Sequence, residues 1–273
     1  MKISSSSSLE KKMSNKFEGY GAISTVYDKI NAKVDYTSWA DFVEKCFEEH
    51  LQEKPELLLD LACGTGSMTL ELAKRGYDMI GVDGSYDMLN IAYDRKFDLE
   101  LKNDVLFLLQ DMREFELYGT VGAVTCCLDS INYLTEDGDI EKCFSLVHNY
   151  LDPDGLFLFD VNTPHKFEHI YGNNSYVYEE EDCGTGNFCV WQNFFDKESG
   201  LCDFSLTVFE REEGSELYTR RDEVQTERCY NREKIEKALA DTGFELIGFY
   251  SDFEFTPAGD TDERWYIVAR AKK

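Results

Sequence analysis

No apolar run in this chain approaches the length of a bilayer span, so a membrane-crossing helix is not expected. The segment Met1 to Ser14 is polar and lacks the apolar centre of a cleavable signal peptide. Histidines number only 4, and none clusters with cysteines at ligand spacing, so no metal site is expected. The 9 cysteines show no repeated C-x-x-C pairs, and Cys126-Cys127 sits inside an apolar run. They read as buried free thiols of a cytoplasmic protein. Basic residues are scarce: Lys and Arg total 28 against 54 Asp and Glu, giving a formal net charge of −26. Such a chain repels phosphate backbones at long range, which disfavours DNA or tRNA as a substrate. The local group Arg220-Arg221, Arg228 and Arg232 is the one candidate exception. A neutral or cationic small molecule suits the charge better.

With 273 residues, 42% apolar and 14% aromatic, the chain can hold one large domain, or one domain plus a lid. The stretch from Leu57 to Asp83 organises it. Leu57 to Ala62 is a short apolar run of buried-strand length. Gly64-Thr65-Gly66 follows, then a helical pattern that pairs Met68 with Leu72 and Thr69 with Ala73 and stops at Gly76. A second apolar strand, Met79 to Val82, ends on Asp83. Strand, glycine turn, helix, strand and acid suit a cofactor that carries a nucleoside. Glycine lets backbone approach the ligand, and a helix start offers free N–H groups to an anion. Asp83 stands about 20 residues past the glycines, where a carboxylate can accept both ribose hydroxyls. A dinucleotide fingerprint wants a third glycine where this chain has Thr69.

The segment Asp60-Leu61-Ala62-Cys63-Gly64-Thr65-Gly66 resembles the first motif of the class I S-adenosylmethionine-dependent methyltransferases. The resemblance implies an α/β fold: a Rossmann-like seven-stranded sheet with helices on both faces. It also implies S-adenosylmethionine as cofactor and S-adenosylhomocysteine as product. Asp60, Ala62, Cys63, Gly64 and Gly66 then belong to the cofactor site, with Asp83 and Gly84 at the next strand end. The segment from Tyr27 to Trp39 looks like the family's N-terminal cap, which places Tyr20, Tyr27 and Trp39 over the cofactor. Aromatic faces are good neighbours for a sulfonium. Met88 would lie against the adenine, Asp111 would accept from its amino group, and Gln110 and Met112 would flank it. After the fourth strand, Val121 to Leu128, the family's motif brings Cys127 and Leu128 to the methionine part. Asp129 and Tyr133 become candidates for acceptor contact, and His165 is a further candidate base. Asp129 and Tyr133 each also read as a cap or a structural residue, and spacing fixes none of the three as a base.

Ser85 and Asn231 are expected helix caps, and Pro153-Asp154-Gly155 an expected turn into a fifth strand, Leu156 to Val161. Beyond Ile170 the texture becomes β-forming: Tyr176 to Tyr178, Phe188 to Trp191, Phe194-Phe195, Leu201 to Phe209 and Glu216 to Arg220. That predicts an inserted antiparallel sheet. Along Phe188 to Phe195 aromatics fall on both alternating faces, so neither face is expected to be simply wet. The expected organisation is a disordered leader over 1–16, with Met13 as an alternative start. A Rossmann-like domain with a helical cap over 17–170 and 229–273 follows, and 171–228 forms a β lid. The terminal pair Phe244 to Tyr250 and Arg264 to Arg270 resembles the family's closing hairpin, which separates it from dehydrogenases.

Relatives with a comparable cap and insert include sugar and glycine-type N-methyltransferases, so an amine nitrogen on a small polar molecule is the expected acceptor, for a monomer or a homodimer. The competing readings are a non-catalytic binder of S-adenosylmethionine or S-adenosylhomocysteine, and an NAD-type oxidoreductase. An all-parallel sheet would favour the oxidoreductase.

Overall fold

The computed structural model describes residues 34–179, 187–212 and 214–273. Helix α1 (Tyr36–His50) begins where Asp35 accepts a hydrogen bond from the Ser38 N–H. The apolar run then forms β1 (Leu57–Leu61), and α2 (Ser67–Lys74) and β2 (Asp78–Asp83) follow. Ser85 caps α3 (Tyr86–Phe97) as expected, its hydroxyl accepting from the Met88 N–H at 3.3 Å. Next come β3 (Val105–Leu109), β4 (Val121–Cys126), α4 (Asp139–Tyr150) and β5 (Leu151–Asn162). After the second sheet, Asn231 caps α5 (Arg232–Asp241), and β10 (Phe244–Tyr250) and β11 (Arg264–Ala271) close the chain.

The main sheet has seven strands in the order β10-β11-β5-β4-β1-β2-β3. Strands β1 to β5 pair in parallel, whereas β11 runs antiparallel to both β5 and β10. Apolar clusters cover its two faces. Phe144, Val147, Ile235 and Leu239 of α4 and α5 pack on one. Phe42, Val43, Leu72 and Leu89 of α1, α2 and α3 pack on the other.

Two expectations of strand ends need correction. Strand β5 starts at Leu151, before Pro153-Asp154-Gly155, because that turn is an irregularity inside the strand where the pairing with β4 shifts between Val121 and Ala123. The second sheet is β6 (Ser175–Glu179), β7 (Phe188–Asp196), β8 (Leu201–Arg211) and β9 (Tyr218–Arg228), all antiparallel. Strand β7 is continuous, and β9 runs on to Arg228 rather than ending at Arg220. Its later half is polar, so it lacks the apolar alternation that marks a strand. A small core of Phe167, Cys189, Cys202, Phe204, Leu206 and Val208 lies beneath this sheet. Phe167 comes from a π-helical turn, Lys166–Tyr171, that follows β5.

One buried carboxylate pins α2 to the sheet. Asp60, in β1, accepts from the Thr125 hydroxyl of β4 at 2.9 Å and from the Thr69 hydroxyl of α2. This is why the third-glycine position carries threonine. Burial pushes Asp60 up to about 6, against the opposing help of both threonines. Its folded pKa therefore exceeds the unfolded one. The proton it holds stabilises the fold below about pH 4, and that contribution is lost as pH rises through about 6. Urea unfolding of Asp60→Asn and wild type across this window is expected to show the variant gaining by about 2–3 kcal/mol relative to wild type towards neutral pH. Parallel pH curves would show that Asp60 does not titrate there.

Candidate active site

The carboxyl edge of the sheet carries unusual backbone. Ala62, Gly64 and Gly66 after β1 have φ of 56°, 55° and 76°, and Leu128 and Asp129 after β4 have 57° and 54°. Non-glycine residues seldom take this left-handed conformation, and it concentrates at functional sites. At Gly66 space is short as well: an added Cβ would lie 3.0 Å from Ala92 Cβ.

Asp83 ties the two first crossovers together. One oxygen accepts from the Gly64 N–H at 2.8 Å, and the other from the Ser85 N–H at 2.7 Å. Burial raises its pKa, while both backbone donors oppose the rise. Each oxygen keeps a lone pair for a ligand hydroxyl.

A cleft opens beside this point. Of the residues expected at the cofactor, it brings together Asp60, Ala62, Cys63, Gly64, Cys127 and Leu128. Burial first, and nearby carboxylates second, push the Cys63 and Cys127 thiols well up, so they stay neutral. Gly66 and Gly84 lie in the two loops that flank the cleft, and Met88 is buried in the first turn of α3. Tyr36 lines the cleft, whereas Trp39 does not: its ring is buried against Phe253 and Tyr266. One helical turn separates the two, and only Tyr36, on the first turn, reaches the sheet edge. Tyr20 and Tyr27 lie outside the described residues.

The expected adenine contacts are only partly brought to the site. The Gln110 side chain bridges to Glu116, accepting from its N–H at 2.7 Å and donating to its carbonyl at 3.2 Å. Both Asp111 oxygens accept from the Arg113 guanidinium, at 2.9 and 2.6 Å, and Arg113 also reaches Asp139. Asp111 thus clamps its own loop, leaving one lone pair per oxygen at most. Met112 packs against the core.

On the far side of β4 lies an ionic cluster. Arg264, from β11, donates to Asp129 at 2.6 Å and pairs with buried Asp160 of β5. The Asp129 N–H also donates to Asp160, at 3.0 Å. The Tyr133 hydroxyl donates to Gln225 Oε1 on β9 at 2.7 Å. Asn162 Nδ2 donates to Glu227 Oε2 at 3.1 Å, and Lys166 Nζ donates to Asn162 Oδ1 at 3.0 Å. The carboxyl edge and the second sheet meet here. Among the described residues, the ring contact of His165 is with His169, at 4.6 Å between centroids, and the cluster does not include it. Sequence reasoning missed Arg264, Asn162, Lys166 and Glu227. Their only signal was charge, or for Asn162 a polar amide, in segments that read as strand or loop.

The cleft is lined by Gly64 backbone and by Asp60 beside the neutral thiols of Cys63 and Cys127, and Asp83 adjoins it through its bond to the Gly64 N–H. A family model described as "Methyltransferase domain" matches residues 58–155. The chain is 33% identical, over 93% of its length and 98% of the relative's, to the putative methyltransferase YqeM of Bacillus subtilis (strain 168). It is 27% identical, over 90% of its length and 87% of the relative's, to a glycine/sarcosine N-methyltransferase of Halorhodospira halochloris. The crystal structure of an S-adenosylmethionine-dependent methyltransferase from Clostridium acetobutylicum ATCC 824 matches with a TM-score of 0.80 at 32% identity, covering 93% of this chain and 99% of that one. With β11 antiparallel the sheet is not all-parallel, so the feature that would have favoured an oxidoreductase is missing. The chain belongs to the class I S-adenosylmethionine-dependent methyltransferases and is an enzyme of that family.

Proposed function

We propose that this enzyme methylates an amine nitrogen of a small polar molecule in the cytoplasm. The observation that carries the reading is the junction of the two sheets. Tyr133, Gln225, Asn162 and Glu227 form a polar seam near Asp129, which directly follows Leu128 of the cleft. A seam rich in carboxylates suits a cationic acceptor, and a net charge of −26 opposes a nucleic-acid one. The relation to a glycine/sarcosine N-methyltransferase supports nitrogen as the acceptor atom. Among the described residues all eight cysteines are free, in keeping with a reducing compartment. No described helix is long and apolar enough to cross a membrane.

The cofactor supplies an activated methyl group. The chain's work is then alignment, exclusion of water and handling of a proton. Asp83 accepts the ribose hydroxyls, and the turn at Gly64 to Gly66 gives the amino-acid tail a close backbone path. Asp129 and Tyr133 face the acceptor. The segment 171–228 serves as the lid that shapes the acceptor's space.

Two measurements test this. Tritiated-methyl S-adenosylmethionine offered with glycine, sarcosine and amino sugars is expected to label an N-methyl product. Label appearing only on hydroxyl or nucleic-acid acceptors would overturn the amine reading. By calorimetry, Asp83→Ala is expected to weaken S-adenosylmethionine binding by about 1–3 kcal/mol, since the ribose loses a charged acceptor. Unchanged affinity would place the ribose elsewhere.

A further inference from the structure

The seam between the two sheets holds one carboxylate that the roles above leave unused. Glu227 is 3% exposed and sits on the inward row of β9 with Glu223 and Gln225. Among the described residues no cation lies within ion-pair distance of it, and its hydrogen bond comes from the neutral amide of Asn162. The cations nearby are committed otherwise. Arg264 pairs with Asp129 and Asp160, and Lys166 donates to Asn162 and stands 5.0 Å from the centre of the Tyr171 ring. The groups around Glu227 are Asp129 after β4, Asp160 and Asn162 of β5, Lys166 and Tyr171 of the π-helical turn, Cys202 of β8 and Arg264 of β11.

A buried carboxylate held by a neutral donor, beside another carboxylate, gains by taking up a proton. Burial, and after it the charge of Asp129, raise the Glu227 acid well above the usual carboxylate range. Asp129 is differently placed, because the Arg264 guanidinium donates to it at 2.6 Å. Of the two, Glu227 is the better proton acceptor and Asp129 the better fixed charge.

We propose that Glu227 is a catalytic residue that takes the proton from the acceptor's ammonium group. The inference rests on the amine reading above. An N–H bond of the ammonium breaks and the proton passes to the Glu227 carboxylate, which becomes a carboxylic acid. The freed lone pair forms the N–C bond to the methyl carbon while the C–S bond breaks and leaves its electron pair on sulfur. The product is a methylated ammonium, and the proton on Glu227 leaves to solvent. Asn162 is a positioning residue that aims the carboxylate.

The test needs no acceptor. Sinefungin carries a primary amine where the transferable methyl would be, so it puts a cation at the transfer point; S-adenosylhomocysteine does not. By calorimetry, Glu227→Gln, which keeps an oxygen for Asn162, is expected to lower sinefungin affinity roughly five-fold or more while leaving S-adenosylhomocysteine within about two-fold. Glu227→Asp, which retains the charge, is expected to recover part of the loss. A loss shared by both ligands would make Glu227 structural, and no loss for either would place it away from the transfer point; both results overturn the proposal. Failure of the amine reading would appear separately, in the labelled-product panel.

Discussion

The two hydrogen bonds that Asp83 accepts hold this site together. Gly64 belongs to the turn after β1, and Ser85 is the cap of α3 after β2. One carboxylate therefore sets the distance between two strand ends and the direction in which each helix starts. It adds to the Gly66 N–H bond to the Cys63 carbonyl and the Arg95 bonds to Thr65 in holding a glycine turn with φ values of 55° and 76°. Burying the charge is costly, and the two N–H donors offset much of that cost. Because both donors come from backbone, the loop is already ordered before any ligand arrives, which lowers the ordering cost of binding.

What the sequence disclosed was local. The strand, glycine turn, helix, strand and acid from Leu57 to Asp83 were legible because each element follows from neighbours in the chain. So were the caps Ser85 and Asn231. Thr69 was legible as a departure from a glycine pattern; its bond to Asp60, the reason for that departure, was not. Contacts between distant residues were beyond reach of pattern reading. Asp129 and Arg264 meet across 135 positions, and no periodicity marks either as a partner. Trp39 and Tyr36 share a motif, and only packing decides that one enters the core and the other the cleft. Asp111 shows what a near neighbour adds: Arg113, two positions on, pairs with the carboxylate that the resemblance assigned to adenine, a contact the pattern did not announce.

The second sheet reads differently once its placement is known. Its aromatic residues gave it away as β structure, yet they mainly fill its own small core with Phe167 and pack among themselves, as Phe188 does on Phe209. The polar stretch of β9 is what meets the main domain. Gln225 takes the Tyr133 hydroxyl, Glu227 takes the Asn162 amide, and the Arg228 carbonyl takes the Asn132 amide at 2.8 Å. Three successive contacts, each to a residue just past β4 or at the end of β5, fix the register of β9 against the sheet edge. A one-residue slip would turn Glu227 outwards and bury its neighbours instead.

Such a polar seam is not the cheapest way to join two sheets. Apolar residues of similar volume usually match or exceed a buried ionic cluster in stability, because desolvation consumes most of the Coulomb gain. Here Asp129, Asp160 and Glu227 outnumber Arg264 and Lys166, so the seam is left one negative charge in excess when all are ionised. A seam selected for adhesion alone would not keep that imbalance. An incoming ammonium supplies the missing positive charge, and once it has given up a proton the remaining groups balance again. The charge count of the seam is thus the physical ground on which the proposed amine acceptor stands.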